Sequence, residues 1–173
     1  MLNITVCVLD VISIGMIFMF SYWLKKLTKE GGEPTEVNIK IVENGRLPEY
    51  QHEGDVCLDC YSRAETLIKA GTRKLIPLGF ALELPEDYEA IIRPRSGNSK
   101  NGIDVAIGTI DTNYRGEVMA NIINNTAEDI VIEAGDRVCQ LAIREAPQIK
   151  WKVVTYLSET ERAGNGFGSS GNK

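Results

Sequence analysis

A single histidine, His52, is the whole imidazole complement of this 173-residue chain, so a serine triad would have no second histidine to draw on as its base. Cysteine is also sparse. Cys7, Cys57, Cys60 and Cys139 are too few and too scattered for the disulfide framework of a small secreted domain, and a reducing compartment is expected. The stretch "CLDC", 57 to 60, sets two thiols close together, but a structural zinc site wants four ligands. On a strand, positions three apart face opposite sides, so these two thiols are expected to diverge. Positive charge is short as well: 19 Lys and Arg stand against 24 Asp and Glu, a net charge of −5. That balance leaves no broad basic footprint for nucleic acid. Any polyphosphate ligand must be held by a few placed cations or by a metal. Neither GxxxxGK[ST] nor a GxGxxG opening a helix occurs, which excludes P-loop and Rossmann units as nucleotide holders.

With 43% hydrophobic and 25% charged residues, the composition suits one globular domain with short appendages. Residues 4 to 24, "ITVCVLDVISIGMIFMFSYWL", form an apolar run followed by "KK". One reading of the 1–27 segment is an apolar helix anchoring the chain in a membrane, with everything downstream in the cytoplasm. Against it, Asp10 would cost about 2.5–3.5 kcal/mol near the middle of a span. The other reading is an extension from an upstream start codon. A cleaved signal peptide is disfavoured because no basic region precedes the run. "TKEGGEPTE", 28–36, is a polar linker, residues 37–158 are expected to form the folded domain, and 159–173 a Gly-rich tail.

After the linker the pattern has period two: Val37, Ile39 and Ile41 alternate with Asn38 and Lys40. Short β-rich runs are expected at 55–62, 65–69, 72–84, 88–94, 103–107, 116–123, 129–133, 137–144 and 149–157. Turn signals at Gly54, Gly71, "LPED" 84–87, Gly97, Gly102, "NYRG" 113–116, "NN" 124–125 and "AGD" 134–136 divide them. Such spacing predicts an all-β sandwich, jelly roll or barrel, with one short helical turn beginning near Ser96.

Four stretches inside this pattern have chemical potential, and each has an ordinary alternative. "RPRSGNSKNG", 93–102, offers Arg95 with the free amides of Ser96 and Gly97 to an anion, or is an exposed turn with a solvated arginine. "GTIDTNYRGEV", 108–118, sets Asp111 three residues before Tyr114. That carboxylate can deprotonate a water beside an aromatic face, or Asp111 and Asn113 are plain turn formers. In "AGDRVCQLAI", 134–143, alternation places Arg137 and Gln140 on opposite faces, with different jobs, or Arg137 simply pairs with a carboxylate as structural glue. In "GDVCLDCYS", 54–62, it places Asp55 and Asp59 on one face, where they could hold a metal's water shell or anchor a loop. The tail "ERAGNGFGSSGNK", 161–173, reads by composition as a frayed end.

Taken together and in order, "DVCLDCYS", "PRSG", "GTIDTNYRGEV", "GDRVCQLAI" and "RAGNGFGSSG" resemble the five signature motifs of the trimeric deoxyuridine triphosphatases (dUTPases), over residues 55 to 171. The resemblance implies a jelly-roll subunit in a homotrimer with active sites shared between subunits. It implies hydrolysis of dUTP to dUMP and pyrophosphate with Mg²⁺, keeping uracil out of DNA and supplying dUMP for thymidylate synthesis. Asp111 is implied as activator of the water that attacks the α-phosphorus, and Tyr114 as the face that packs on deoxyribose and excludes a 2′-hydroxyl. The hairpin around 105–111, with Gly108 and Ile110, is implied to read the uracil edge. Arg95, Ser96, Gly97 and Gln140 are implied at the phosphates, and Asp59 at the magnesium through water. From the tail, Arg162 is implied at the γ-phosphate and Phe167, with Gly168, over the uracil, so the glycines serve a lid. The chain departs from the family's pattern at Val56 and Cys57, where Ala-Gly is usual, and at Ala163, where glycine is usual.

Two other functions fit the same letters. One is the dCTP deaminase branch of this superfamily, distinguished by consumption of dCTP. The other is a trimeric nucleotide-binding or interaction module without turnover, which the retained acid, arginines and tail argue against.

Overall fold

In the computed structural model, residues 35–164 are described. The chain divides into two units, residues 1–39 and 40–173. The apolar segment 4–24 and most of the 28–36 linker lie outside the described residues, as do Phe167 and Gly168. Among the described residues no helix is long and apolar enough to cross a membrane.

Among the described residues, eleven strands and one helical turn follow in the order β1 (Asn38–Ile41), β2 (Leu58–Tyr61), β3 (Thr66–Ile68), β4 (Arg73–Pro77), β5 (Phe80–Glu83), β6 (Tyr88–Arg93), α1 (Ser96–Lys100), β7 (Ile103–Ala106), β8 (Gly108–Ile110), β9 (Met119–Asn124), β10 (Ile130–Ile132) and β11 (Arg137–Glu145). The all-β expectation with a short helical turn at Ser96 holds. A four-stranded antiparallel sheet runs β2-β11-β6-β8 and a three-stranded one β4-β9-β7, while β3 pairs with β10.

Alternation does what the sequence pattern requires on β9, where Ala120, Ile122 and Asn124 are buried and Met119 faces out. Phe80, Ile68, Ile76, Leu78, Ile92, Ile122 and Leu141 are the largest apolar side chains with essentially no exposure. Each is worth about 1.5–3 kcal/mol in transfer from water. Buried Asn124 shares this core because its amide is fully used: Nδ2 donates to the carbonyls of Ile68 (3.1 Å) and Glu128 (2.8 Å). Its Oδ1 accepts from the amide and hydroxyl of Thr126 at 3.0 and 2.7 Å.

Two expected runs come out differently, and one strand falls outside every expected run. The run 72–84 is two strands, β4 and β5, because Gly79 takes φ +78° between them. A Cβ at Gly79 would strike the Cα of Gly45 and lie 3.3 Å from the Arg63 Cδ, so two backbones meet there without side chains. The run 149–157 is no strand; Trp151, Val153, Tyr156 and Leu157 are more than four-fifths exposed, and among the described residues no ladder receives them. Residues 108–110, in none of the expected runs, form β8 against Ile92–Ala90 of β6.

Candidate active site

Asp59 is the best-connected polar side chain of the four-stranded sheet, with only 2% of its surface exposed. Arg95, just past β6, approaches it side-on, Nε donating to Oδ1 at 3.1 Å and Nη2 to Oδ2 at 3.2 Å. Gln140 donates through Nε2 to Oδ1 at 3.0 Å, and Arg137 through Nη1 to Oδ2 at 3.3 Å. The expectation that Arg137 and Gln140 work on opposite faces is corrected here. Between Arg137 and Cys139 the β11 register against β2 slips, so Arg137 pairs with Tyr61 while Cys139 pairs with Cys60. That bulge turns Arg137 back toward the face that Gln140 occupies.

Two guanidinium charges on one carboxylate leave the cluster with a net positive charge, on a chain that is acidic overall. It is the placed cation pair that a polyphosphate would need. Arg95 also donates to the Arg137 carbonyl at 3.3 Å, and the Asn98 amide binds the carbonyls of Arg137 and Val138, both at 3.3 Å. These bonds seat α1 against β11. Ser96 and Gly97 open that turn and are exposed, with nothing within 4 Å of the Gly97 Cβ position.

Asp59 does not fit the role of a direct metal ligand, since each of its oxygens already takes two donors. Among the described residues no group of three or more His, Cys, Asp or Glu is placed to hold a metal ion. Asp55 is not on the strand beside Asp59 as expected. It sits ahead of β2, where its Oδ2 accepts from the amides of His52 (2.9 Å) and Gln51 (3.1 Å), and the His52 amide bond leads the lowering of its pKa. Cys57 precedes β2 and is half-buried, whereas Cys60 lies on the strand, fully buried and directly paired with Cys139 on β11. A hydrogen bond with the Cys139 thiol, followed by burial, pushes the Cys60 thiol well up.

Asp111, Tyr114, Gly108 and Ile110 come together elsewhere. They line a pocket of about 210 Å³ with Ile92, Thr109, Val118 and Met119. The β8 edge forms its floor, and the turn after β8 its rim. Asp111 is exposed, and its carbonyl accepts the Tyr114 amide at 3.1 Å, closing a tight turn that sets carboxylate and ring on one hairpin tip. The Tyr114 hydroxyl donates to the Glu117 carbonyl at 3.0 Å, so the ring is held at both ends. Gly116 is what makes room for it: a Cβ there would lie 2.6 Å from the ring's Cζ.

The residues of the Asp59 cluster line none of this pocket. Arg162 stands farther on, in an exposed turn over 161–164, where the Ala163 amide binds the Thr160 carbonyl at 3.0 Å. Ala163 adopts φ +44°, a left-handed conformation that glycine takes without strain. Sequence reasoning missed Thr109 in the lining of this pocket, and Gly116 and the Arg63–Glu117 pair behind the Tyr114 ring, outside the lining. The "NYRG" turn carried a signal for Gly116, whereas nothing in the letters ties Arg63 to Glu117, 54 positions away.

The dUTPase family model matches residues 43–171. A Rickettsia bellii protein named deoxyuridine 5'-triphosphate nucleotidohydrolase is 46% identical over 144 residues, covering 79% of this chain and 96% of that protein. Its Rickettsia felis namesake is 47% identical over 144 residues, with 79% and 97% covered. Among solved structures, a dUTPase of Staphylococcus bacteriophage 80alpha with dUpNHpp superposes with a TM-score of 0.76 at 26% identity, covering 80% of this chain and 99% of that one.

Proposed function

Because the chain belongs to the dUTPase family, we propose that it hydrolyses dUTP to dUMP and pyrophosphate at a site centred on the Asp111–Tyr114 hairpin. The single observation that carries this reading is the pocket. Asp111, Tyr114 and the β8 edge, drawn from one motif, line one cavity of nucleoside size.

Asp111 acts as general base: its carboxylate takes a proton from a water, whose oxygen attacks the α-phosphorus while the bond to the β-phosphate oxygen breaks. Exposed and on a tight turn, it can reach a water over the pocket. Tyr114 packs its ring on the deoxyribose, so a 2′-hydroxyl meets a steric wall. The edge strand of Gly108 and Ile110 offers backbone groups to the uracil. Arg95 and Gln140, with the amides of Ser96 and Gly97, bind the phosphates, supported by the convergence of cations on Asp59. Arg162, Phe167 and Gly168 close over the substrate as a lid, whose glycines let backbone lie against phosphate. Magnesium, when bound, would neutralise phosphate charge, and Asp59, whose oxygens already take two donors each, would reach it only through water.

Cluster and pocket share no lining residue, which favours a homotrimer in which one subunit's Arg95 serves its neighbour's Asp111. The exposed apolar run at 149–157 supports the same assembly. Free thiols at Cys57, Cys60 and Cys139 support a reducing, cytoplasmic compartment.

The test is pyrophosphate release from dUTP, dCTP, dTTP and UTP with Mg²⁺, for the whole chain and for Asp111→Asn. Selective turnover of dUTP that falls about 10²–10⁴-fold in Asp111→Asn supports the reading. Equal turnover by the variant removes Asp111 as base, and deamination of dCTP would move the chain to the deaminase branch.

A further inference from the structure

Glu117 touches nothing that reacts, yet it links the pocket's aromatic face to the bend at Arg63 and the turn at Gly79. Its carboxylate takes three contacts: the Arg63 Nε lies 2.9 Å from Oε1, the Arg63 Nη2 donates to Oε2 at 3.1 Å, and the Gly79 amide donates to Oε1 at 3.0 Å. The two side chains are only 32% and 26% exposed, so water screens the pair incompletely. The carbonyl of the same residue accepts the Tyr114 hydroxyl at 3.0 Å.

The hairpin stem does not need this ion pair to form. Val118 already donates its amide to the Phe80 carbonyl at 2.8 Å and accepts from the Leu78 amide at 3.1 Å. What the carboxylate clamp adds is orientation just before that stem, at the peptide whose oxygen anchors Tyr114. Arg63 in turn is held by its own amide, which donates to the Pro77 carbonyl at 3.0 Å, so its guanidinium is presented from a bend tied to the end of β4.

Resting on the dUTP reading above, we propose that Arg63 and Glu117 are a positioning pair that fixes the Tyr114 ring against the sugar and thereby sets selectivity for 2′-deoxy over ribo nucleotides. With the clamp released, the Glu117 carbonyl can turn and the phenol loses its anchor. The ring then swings off the pocket wall, and a 2′-hydroxyl finds room. Binding of the deoxy substrate weakens, while Asp111, attached through the other side of the turn, keeps its chemistry.

The experiment uses the whole chain and four variants: Arg63→Met, Arg63→Lys, Glu117→Gln and the Met/Gln double. Each is measured for kcat and KM with dUTP and UTP, for binding of dUpNHpp and its ribo counterpart, and for Tm. We expect the deoxy-over-ribo ratio of kcat/KM to fall about 10-fold in Arg63→Met and in Glu117→Gln, through KM with kcat within about threefold. The double variant should be no worse than either single one, because one clamp is lost in all three. Arg63→Lys should recover part of the ratio. Ratios that stay at the parent value, or losses that add in the double variant and follow Tm, overturn the proposal. A parent chain that binds dUpNHpp selectively but turns over no dUTP sinks the hydrolase reading alone, and the binding ratios then decide the clamp by the same criteria. A parent that binds neither analogue overturns both.

Discussion

Arg137 and Gln140, three residues apart on one strand, donate to the two oxygens of the same carboxylate, Asp59, at 3.3 and 3.0 Å. A regular strand forbids that meeting, since positions three apart face opposite ways. The bulge at the start of β11 permits it.

Replacing Asp59 with asparagine keeps the shape but leaves Arg95 and Arg137 without a countercharge. Breaking a buried pair costs about 3–5 kcal/mol, and the exposure of the Arg137 side chain, 45%, reduces the expected loss to about 2–3 kcal/mol. Urea unfolding should show a lower midpoint with an unchanged m value. A midpoint within error of the parent would show that the arginines do not depend on this carboxylate.

Gly116→Ala puts a methyl group where the Tyr114 ring lies. The ring must leave its place, and kcat/KM for dUTP should fall about 10-fold or more, with selectivity against UTP falling too. Steady-state kinetics on both nucleotides checks this, and an unaltered preference would remove Tyr114 from sugar recognition.

The raised Cys60 thiol ties stability to alkaline pH. The folded state holds this proton more tightly than the unfolded chain does, so the contribution is intact below the ordinary thiol value of 9.0 and is lost as pH rises above it. Unfolding free energy should therefore drop above about pH 9, with a slope of at most ~1.4 kcal/mol per pH unit from this one group. Cys60→Ala, less stable at neutral pH, should show a shallower decline over pH 8.5–10 in denaturant titrations. An identical decline would assign the loss to other groups.

Ending the chain at residue 160 removes Arg162 and the glycines after it and should depress kcat/KM for dUTP at least 100-fold while leaving Tm nearly unchanged. Ala163→Gly should act the other way, because it relieves a left-handed alanine worth about 1–2 kcal/mol; KM should fall a few-fold. Full activity without the tail would return 161–173 to a frayed end.

Much of the arrangement is visible in the letters because it depends on local rules. Period-two alternation marks the strands, and glycine, asparagine and proline mark most of their ends. The hairpin of Asp111 and Tyr114 is legible since both residues lie in one turn, four positions across. What escapes is whatever depends on tertiary geometry. The β11 bulge has no glycine or proline to announce it, so Arg137 was placed on the wrong face. The exposed run 149–157 has strand-forming residues but no partner strand among the described residues, and propensity does not supply one. Asp55 has a turn former's composition and a strand's neighbours; two backbone amides decide in favour of the turn. Arg63 and Glu117 meet only because the fold brings Gly79 between them.

Gly45 and Gly79 touch through bare backbone, and a Cβ on Gly45 would lie 2.7 Å from the Gly79 carbonyl carbon. Substitutions in a packed core can often be answered by a smaller neighbour, which lets lineages drift through pairs of changes. Here the neighbour is already glycine and nothing smaller exists. No second substitution can rescue the first at either position, so the two codons form a single locus from which every missense path leads downhill. Variation should be expected all around this contact and not at it.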